Sequence, residues 1–451
     1  MNNSTSDLTR GKPSRLIFRF FMPLLMTNVL QQLYSFADTA IVGKGLGDNS
    51  LAAVGNMSSL TFLIIGFSMG LSNGFSILIA QSFGEKDIPK LRKTLASSIK
   101  LAAVITSCLS VLSILFLRSI LNLLQTSPVI IEDSLSYGYI LFGGLFATIG
   151  YNMCAGVLRS LGDSKTPLKA IVVASIMNVT LNSVFIFWCG WGVKGAAAAT
   201  IIAQVFSGTV CCLKLRKIDF LKLTRDDFAF NPQLALKLLK NGIPMAVMNS
   251  ITAVGCMVVQ YFVNGLGVVY TSAYSVCSRY LNMFMMPAST AGLAMSSYTG
   301  QNYGAKRYDR IIEGLKICLS ISFVTYLVFG SAMVLAPRAL ASLLLNGDEQ
   351  ISHVVSFLPM CGSMMLMVDM LFVIRNAVQG MGFPFVPMLS GIAEMFLRIG
   401  AIVLFIDKMG FRATAVAEIS AWTGALIINA AAFMYIFMRE RRKNQALLMI
   451  R

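Results

Sequence analysis

Asp38 has the clearest capacity for chemistry in this sequence. It lies in an apolar stretch, after the polar residues Gln31, Gln32, Tyr34 and Ser35. A carboxylate at a membrane-helix centre costs about 2.5–3.5 kcal/mol on insertion scales, so its presence calls for a task. Low dielectric penalises the charged form, which suits such an acid to bind and release a proton or to hold a monovalent cation. The plainer reading is an acid reaching the outer interface. About five residues separate it from the turn at Gly43, and at about 1.5 Å per residue it falls in the outer third of a bilayer. Asn178 and Asn182 are four apart and so share a helical face. Thr200 follows the run Gly195-Ala-Ala-Ala-Ala, whose small residues let helices approach closely. These oxygens either complete a cation site or simply hydrogen-bond between helices.

A second set of ionisable residues lies towards the other end of the chain: Asp369, Arg375, Glu394 and Arg398. Glu394 and Arg398 are four apart with the acid first, the favoured order for an ion pair. They read as a mutually neutralised structural pair or as a second coupling site. Arg279 faces either a cavity or a seam between bundles. A positive charge there counts against a purely cation-binding cavity and keeps anionic or zwitterionic substrates open. Gln31, Gln32, Tyr34 and these charged residues are the candidate cavity set.

The elements that must hold these residues follow from composition. Of 451 residues, 56% are apolar and 13% charged, whereas soluble domains carry about 25% charged residues. Mean hydropathy is +0.71. An aqueous enzyme is excluded. A net charge of +17 would suggest nucleic acid in a soluble chain, but the basic residues sit in short segments between apolar stretches, so no nucleic-acid partner is expected. Spanning a bilayer takes about 20 apolar residues. Twelve such stretches lie near 15–42, 51–80, 94–117, 134–158, 168–189, 195–213, 243–264, 270–300, 316–336, 351–379, 385–406 and 413–438. One set of their ends carries Arg10, Lys12, Arg15, Lys86, Lys90, Arg92, Arg159, Lys214, Arg216, Lys306, Arg307, Arg310, Arg439 and Arg441. The other set has little beyond Lys44, Arg118, Lys194, Arg338, Lys408 and Arg412. The positive-inside rule then predicts a multi-pass protein of the plasma or inner membrane with both termini cytoplasmic. The first apolar run is too long for a signal peptide and has no small-residue cleavage site.

The chain repeats itself. Gln81-Ser82-Phe83-Gly84-Glu85-Lys86 returns as Gln301-Asn302-Tyr303-Gly304-Ala305-Lys306, 220 residues later. Gly45-Leu46-Gly47 matches Gly265-Leu266-Gly267 at the same offset. Gly162 and Pro167 match Gly382 and Pro387. The predicted fold is therefore all-α and integral to the membrane, with twelve transmembrane helices in two parallel six-helix repeats. Its parts are an N-terminus (1–14), a first bundle (15–213), a basic linker (214–242), a second bundle (243–438) and a C-terminal tail (439–451). Duplicated bundles of this kind suit a transporter that opens a midplane site alternately to each side.

Asp38-Thr-Ala-Ile-Val-Gly, Gly45-Leu-Gly and Leu51-Ala-Ala-Val-Gly55 resemble the first-helix region of the multidrug and toxic compound extrusion (MATE) family. Pro167 onward, with Asn178, Leu181 and Gly195-Ala196, resembles that family's fifth and sixth helices. The turn Gln301-Asn-Tyr-Gly-Ala305 resembles its second-half counterpart. The likeness runs from about residue 15 to 440. It implies an antiporter that expels cationic or amphipathic compounds against an inward flow of protons or sodium ions. In one branch of the family, an acid in helix one, an Asn and an Asp in helix five and a Thr in helix six form the cation site. By motif these fall on Asp38, Asn178, Asn182 and Thr200. Asn182 stands where that branch has Asp, and the loss of one carboxylate favours protons over sodium. The other branch's Glu in helix seven is missing, since Pro244 is followed by Met-Ala-Val-Met-Asn.

Other patterns are dismissed on physical grounds. Gly66-Phe-Ser-Met-Gly70 matches a hydrolase motif, but that motif needs a strand-to-helix turn and a histidine partner. Gly66, Gly70 and Gly74 read instead as a small-xxx-small packing face. Nine cysteines, mostly single within apolar stretches, read as small apolar side chains, and one histidine, His353, builds no metal site. The 27 methionines are core and lipid-facing filler, some lining an adaptable cavity. No enzyme activity, cofactor or metal is expected beyond a coupling proton or sodium ion at Asp38. The expected partners are organic cations or amphipathic drugs and membrane lipid, and the protein is expected to act as a monomer. The rival reading is a flippase for a lipid-linked precursor, which shares the general architecture.

Overall fold

A computed structural model describes residues 6–124 and 126–449. The helices in chain order are α1 (Pro13–Leu46), α2 (Asp48–Glu85), α3 (Ile88–Leu123), α4 (Ile131–Gly143), α5 (Leu145–Ser160), α6 (Lys165–Ser183), α7 (Val193–Arg216) and α8 (Pro232–Leu266). They continue with α9 (Val268–Phe284), α10 (Met286–Gly304), α11 (Tyr308–Thr325), α12 (Ser331–Leu335), α13 (Pro337–Ser342), α14 (Asp348–Gly380), α15 (Phe385–Met409) and α16 (Arg412–Met449). Among the described residues ten spans are long and apolar enough to cross a membrane. The pair α4 and α5, bent by 45°, makes an eleventh. The bend falls at Gly143-Gly144, where a Cβ on Gly144 would lie 2.4 Å from Ile201. The stretch expected at 270–300 is divided into α9 and α10 beside Pro287. Proline deprives a helix of one hydrogen bond and its ring presses on the preceding turn. The small and polar residues of α10, Thr290, Ser296 and Thr299 among them, are buried inside the protein, so that segment needs no apolar face for lipid.

The repeat is written in the backbone as well as in the side chains. Positive φ angles recur 220 residues apart at Gly47 and Gly267, Lys86 and Lys306, Gly162 and Gly382, and Gly190 and Gly410. Lys86 and Lys306 accept the left-handed conformation at equivalent helix ends despite having a Cβ.

Two compact units emerge. One comprises Met22–Ala246 with the described residues up to Asp7; the other comprises Leu8–Phe21 and Val247–Arg451. The division departs from the sequence boundaries at 213 and 243. Helices α1 and α8 each begin in one unit and finish in the other. The changeover lies beside Pro23 in α1 and Pro244 in α8, positions where proline weakens the helix.

The reason for the early changeover in α1 is a strap at residues 8–11, buried at Leu8 and Thr9. The Leu8 N–H donates to Gln301 Oε1 at 2.8 Å, and Asn302 Nδ2 and Arg310 Nη2 donate to the Leu8 carbonyl at 3.3 and 3.2 Å. Arg307 Nη1 donates to the Thr9 carbonyl at 2.6 Å and Arg310 Nη1 to that of Gly11 at 2.9 Å. In the first unit the linker is held in a similar manner. Arg92 Nε donates to the Phe220 carbonyl at 2.8 Å, and Lys100 Nζ donates to that of Phe228. Asp227 accepts the Thr224 N–H at 2.8 Å and its hydroxyl at 2.9 Å. The backbone hydrogen bond from Thr224 holds the Asp227 carboxyl below its ordinary pKa.

Candidate functional site

Three helices of the first unit bring the sequence-derived set together. Asp38 comes from α1, Asn178 and Asn182 from the shared face of α6, and Thr200 from α7. Helix α6 starts cleanly because Asp163 Oδ1 accepts the N–H groups of Lys165 and Thr166, both at 3.0 Å, leaving fewer bare donors at that end. It ends in a single π turn, Val184–Trp188, against which Gly45 packs. A Cβ there would lie 2.7 Å from Ile186 and 2.8 Å from Phe187, so α1 and α6 approach closely just beyond Asp38.

Asn182 Nδ2 donates to Asp38 Oδ1. Asn178 Nδ2 donates to Thr200 Oγ1 at 3.4 Å, and the Thr200 hydroxyl donates to the Ala196 carbonyl at 3.1 Å. Asn178 and Asn182 are 2% and 0% exposed, so these contacts are made away from solvent. Beside them lies a small pocket lined by Tyr34, Ser175, Asn178, Thr200, Gln204 and Ser207. Buried oxygens of Asn178, Asn182, Ser175 and Gln204 have no hydrogen-bond partner. Unpaired buried acceptors are costly unless a proton donor or a cation meets them. Asp38 does not itself line the pocket and meets this set through Asn182. Neutral oxygens together with a carboxylate are the donor types that a hard monovalent cation, or a proton with water, takes.

Not every candidate joins this site. Tyr34 lines the pocket, but Gln31 is only half-buried and Gln32 is exposed. Arg279, on α9, is exposed on the second unit. Asp369, on α14, is fully buried with neither carboxyl oxygen hydrogen-bonded. Gly66, Gly70 and Gly74 do not act as one packing face. Gly70 and Gly74 abut the α8 backbone at 241–246, whereas a Cβ on Gly66 would meet nothing within 4 Å.

The second unit holds its own buried charges in a chain across α14, α15 and α16. Arg375 Nη2 meets Glu394 Oε2 at 2.6 Å. Arg398 Nη2 meets Glu394 Oε1 at 3.2 Å and Glu418 Oε2 at 3.0 Å. The expected Glu394–Arg398 pair is therefore part of a balanced tetrad. Sequence reading missed Glu418, although the rule that picked out Asp38, an acid within an apolar stretch, applies to it equally.

The MatE family model matches the chain twice, over residues 23–184 and 244–404, the two halves of the repeat. The Probable multidrug resistance protein YoeA of Bacillus subtilis is 30% identical over 325 residues, which is 70% of each chain. The same organism's Probable multidrug resistance protein YpnP is 31% identical over 312 residues, 68% of each chain. Among solved structures, a MATE crystallised in complex with MaL6 superposes with a TM-score of 0.91 at 21% identity, covering 98% of this chain and 100% of that one. The two-repeat architecture of the MATE fold is thus present. This chain is a multi-pass membrane protein that belongs to the MatE family, whose members are transporters and not enzymes.

Proposed function

We propose that the protein is a cation-coupled antiporter that exports cationic or amphipathic compounds by alternating access of its two bundles, with both termini in the cytoplasm. The relatives' names, multidrug resistance proteins, support efflux of drugs. The observation that carries the coupling is the hydrogen-bonded set Asp38, Asn182, Asn178 and Thr200, with unpaired oxygens beside it.

Only one carboxylate stands in this set, with Asn182 as its partner, and a single carboxylate suits a proton better than a sodium ion. In the proposed cycle, protonation of Asp38 from outside breaks its acceptor role towards Asn182 and loosens α1 from α6. The drug leaves outward, and release of the proton to the cytoplasm restores the bond. The test is uptake of a fluorescent organic cation into proteoliposomes under an imposed pH gradient, then under a sodium gradient. Wild type should respond to the pH gradient and Asp38→Asn should not. Full gradient-driven transport in Asp38→Asn would overturn the assignment.

A further inference from the structure

The two halves of the repeat place different chemistry at one position. Counting 220 residues on from Asn178 gives Arg398, and from Ala174 gives Glu394. The register is fixed on both sides by the left-handed turns at Gly162 and Gly382 and at Gly190 and Gly410. In the first unit, Ala174 and Asn178 wall the oxygen-lined pocket. In the second, their equivalents are the carboxylate and guanidinium at the centre of the tetrad, 4% and 2% exposed. The acid on the next helix, Glu418, stands where the first repeat has Ala198, which is not among the residues that wall the pocket.

Space for the guanidinium is provided by α8, the repeat partner of α1. Gly255 lies against it, and a Cβ there would be 3.1 Å from Arg398 Nη1. Gly255 is the equivalent of Ser35, one turn before Asp38. Two arginines and two glutamates balance, so the tetrad itself has no net charge left for an ion to neutralise; the unit's other buried acid, Asp369, takes no part in it.

We infer that Arg398 is a tethered cation, occupying permanently in the second unit the place that the first unit keeps for an exchangeable one. That position of the second unit is thereby closed to cation exchange, and the duplicated half holds there a fixed copy of the first unit's occupied state. This inference rests on the coupling role proposed for Asp38, and the experiment separates the two.

The variant Arg398→Asn restores the first unit's residue and leaves a carboxylate without its cation. It is made in an Asp38→Asn background, which silences the first site. Thermal unfolding of the purified protein is followed in sodium chloride, and separately in millimolar guanidinium chloride, against choline chloride at equal ionic strength. Asp38→Asn alone should be indifferent to the cation. With Arg398→Asn added, the midpoint should rise saturably with sodium or guanidinium, and Arg398→Lys, which keeps a tethered cation, should again be indifferent. A folded Arg398→Asn variant with no cation response overturns the inference. So does failure to recover Arg398→Asn in any of these cations when Arg398→Lys is recovered. Persistence of transport in Asp38→Asn together with a new cation response in Arg398→Asn would sink the coupling assignment while upholding a tethered cation.

Discussion

Replacing Gly74 by alanine and, separately, Gly66 by alanine tests how the first unit is assembled. Both glycines lie on α2 two turns apart, and helix propensity alone favours alanine at each by about 1 kcal/mol. Their surroundings differ. A Cβ at Gly74 would sit 2.5 Å from Gly242 Cα and 2.6 Å from the Asn241 carbonyl oxygen, while one at Gly66 has nothing within 4 Å. The neighbours of Gly74 are backbone, so no rotamer change relieves the clash and α8 must move away at 241–246. Overpacking of this kind costs typically about 1–3 kcal/mol, occasionally more. Gly66→Ala should therefore be neutral or stabilising by up to about 1 kcal/mol. Gly74→Ala should lose stability despite its gain in propensity, placing the two variants about 1–3 kcal/mol apart. The assay is thermal unfolding in detergent, with Gly70→Ala as a third point. Its Cβ would lie 2.6 Å from Ala246 backbone atoms, so it should follow Gly74→Ala. Equal midpoints for Gly66→Ala and Gly74→Ala would refute the close α2–α8 crossing.

Asn182→Asp puts a second carboxylate beside Asp38, and proteoliposome transport should then respond to a sodium gradient as well as to pH. Glu394→Leu leaves Arg375 and Arg398 short of a counter-charge inside the second unit. Breaking a buried pair in this way costs about 3–5 kcal/mol, and adding Arg375→Met should recover most of it, as read by chemical denaturation of single and double variants. Asp227 titrates below the ordinary carboxylate range. Its stabilisation of the linker is present above the unfolded-state pKa and lost as pH falls through the lower folded one. Protection of the Thr224 amide, measured as its hydrogen exchange relative to the intrinsic rate at each pH, should fall only in acid, and Asp227→Asn should abolish that acid-linked step.

Apolar run lengths, basic ends and the 220-residue offset were enough to reveal a two-repeat membrane bundle, because each is a property of segments. Asp38, Asn178, Asn182 and Thr200 were also legible, since an acid or amide in an apolar stretch is conspicuous and the i,i+4 spacing places both asparagines on one face. Ser175 and Gln204 were not singled out, as small polar residues in transmembrane helices more often serve packing and only the third dimension shows their oxygens unpaired. The break between α9 and α10 escaped because hydropathy weighs composition and ignores one proline's geometry. The strap was hidden for a different reason. Gln301, Asn302, Arg307 and Arg310 read as a polar turn and a charged helix start, and their targets are a backbone N–H and backbone carbonyls some 300 residues away, which no side-chain pattern encodes. The first-repeat counterparts of Arg307 and Arg310 do local work instead: Asp87 caps α3 at Lys90, and Lys90 pairs with Glu85 at 2.5 Å.

The sharing of α1 and α8 between units has a bearing on engineering. A hybrid transporter made by joining the two bundles of different relatives at the linker would graft α1 from one parent onto a strap clasp from the other. Seams after Phe21 and after Ala246 follow the two changeovers within α1 and α8, and exchange residues 22–246, the continuous part of the first unit, as one cassette. Each parent then keeps its own strap with its own Gln301–Arg310 clasp, and the joints fall beside Pro23 and Pro244, where the helices are already weakened.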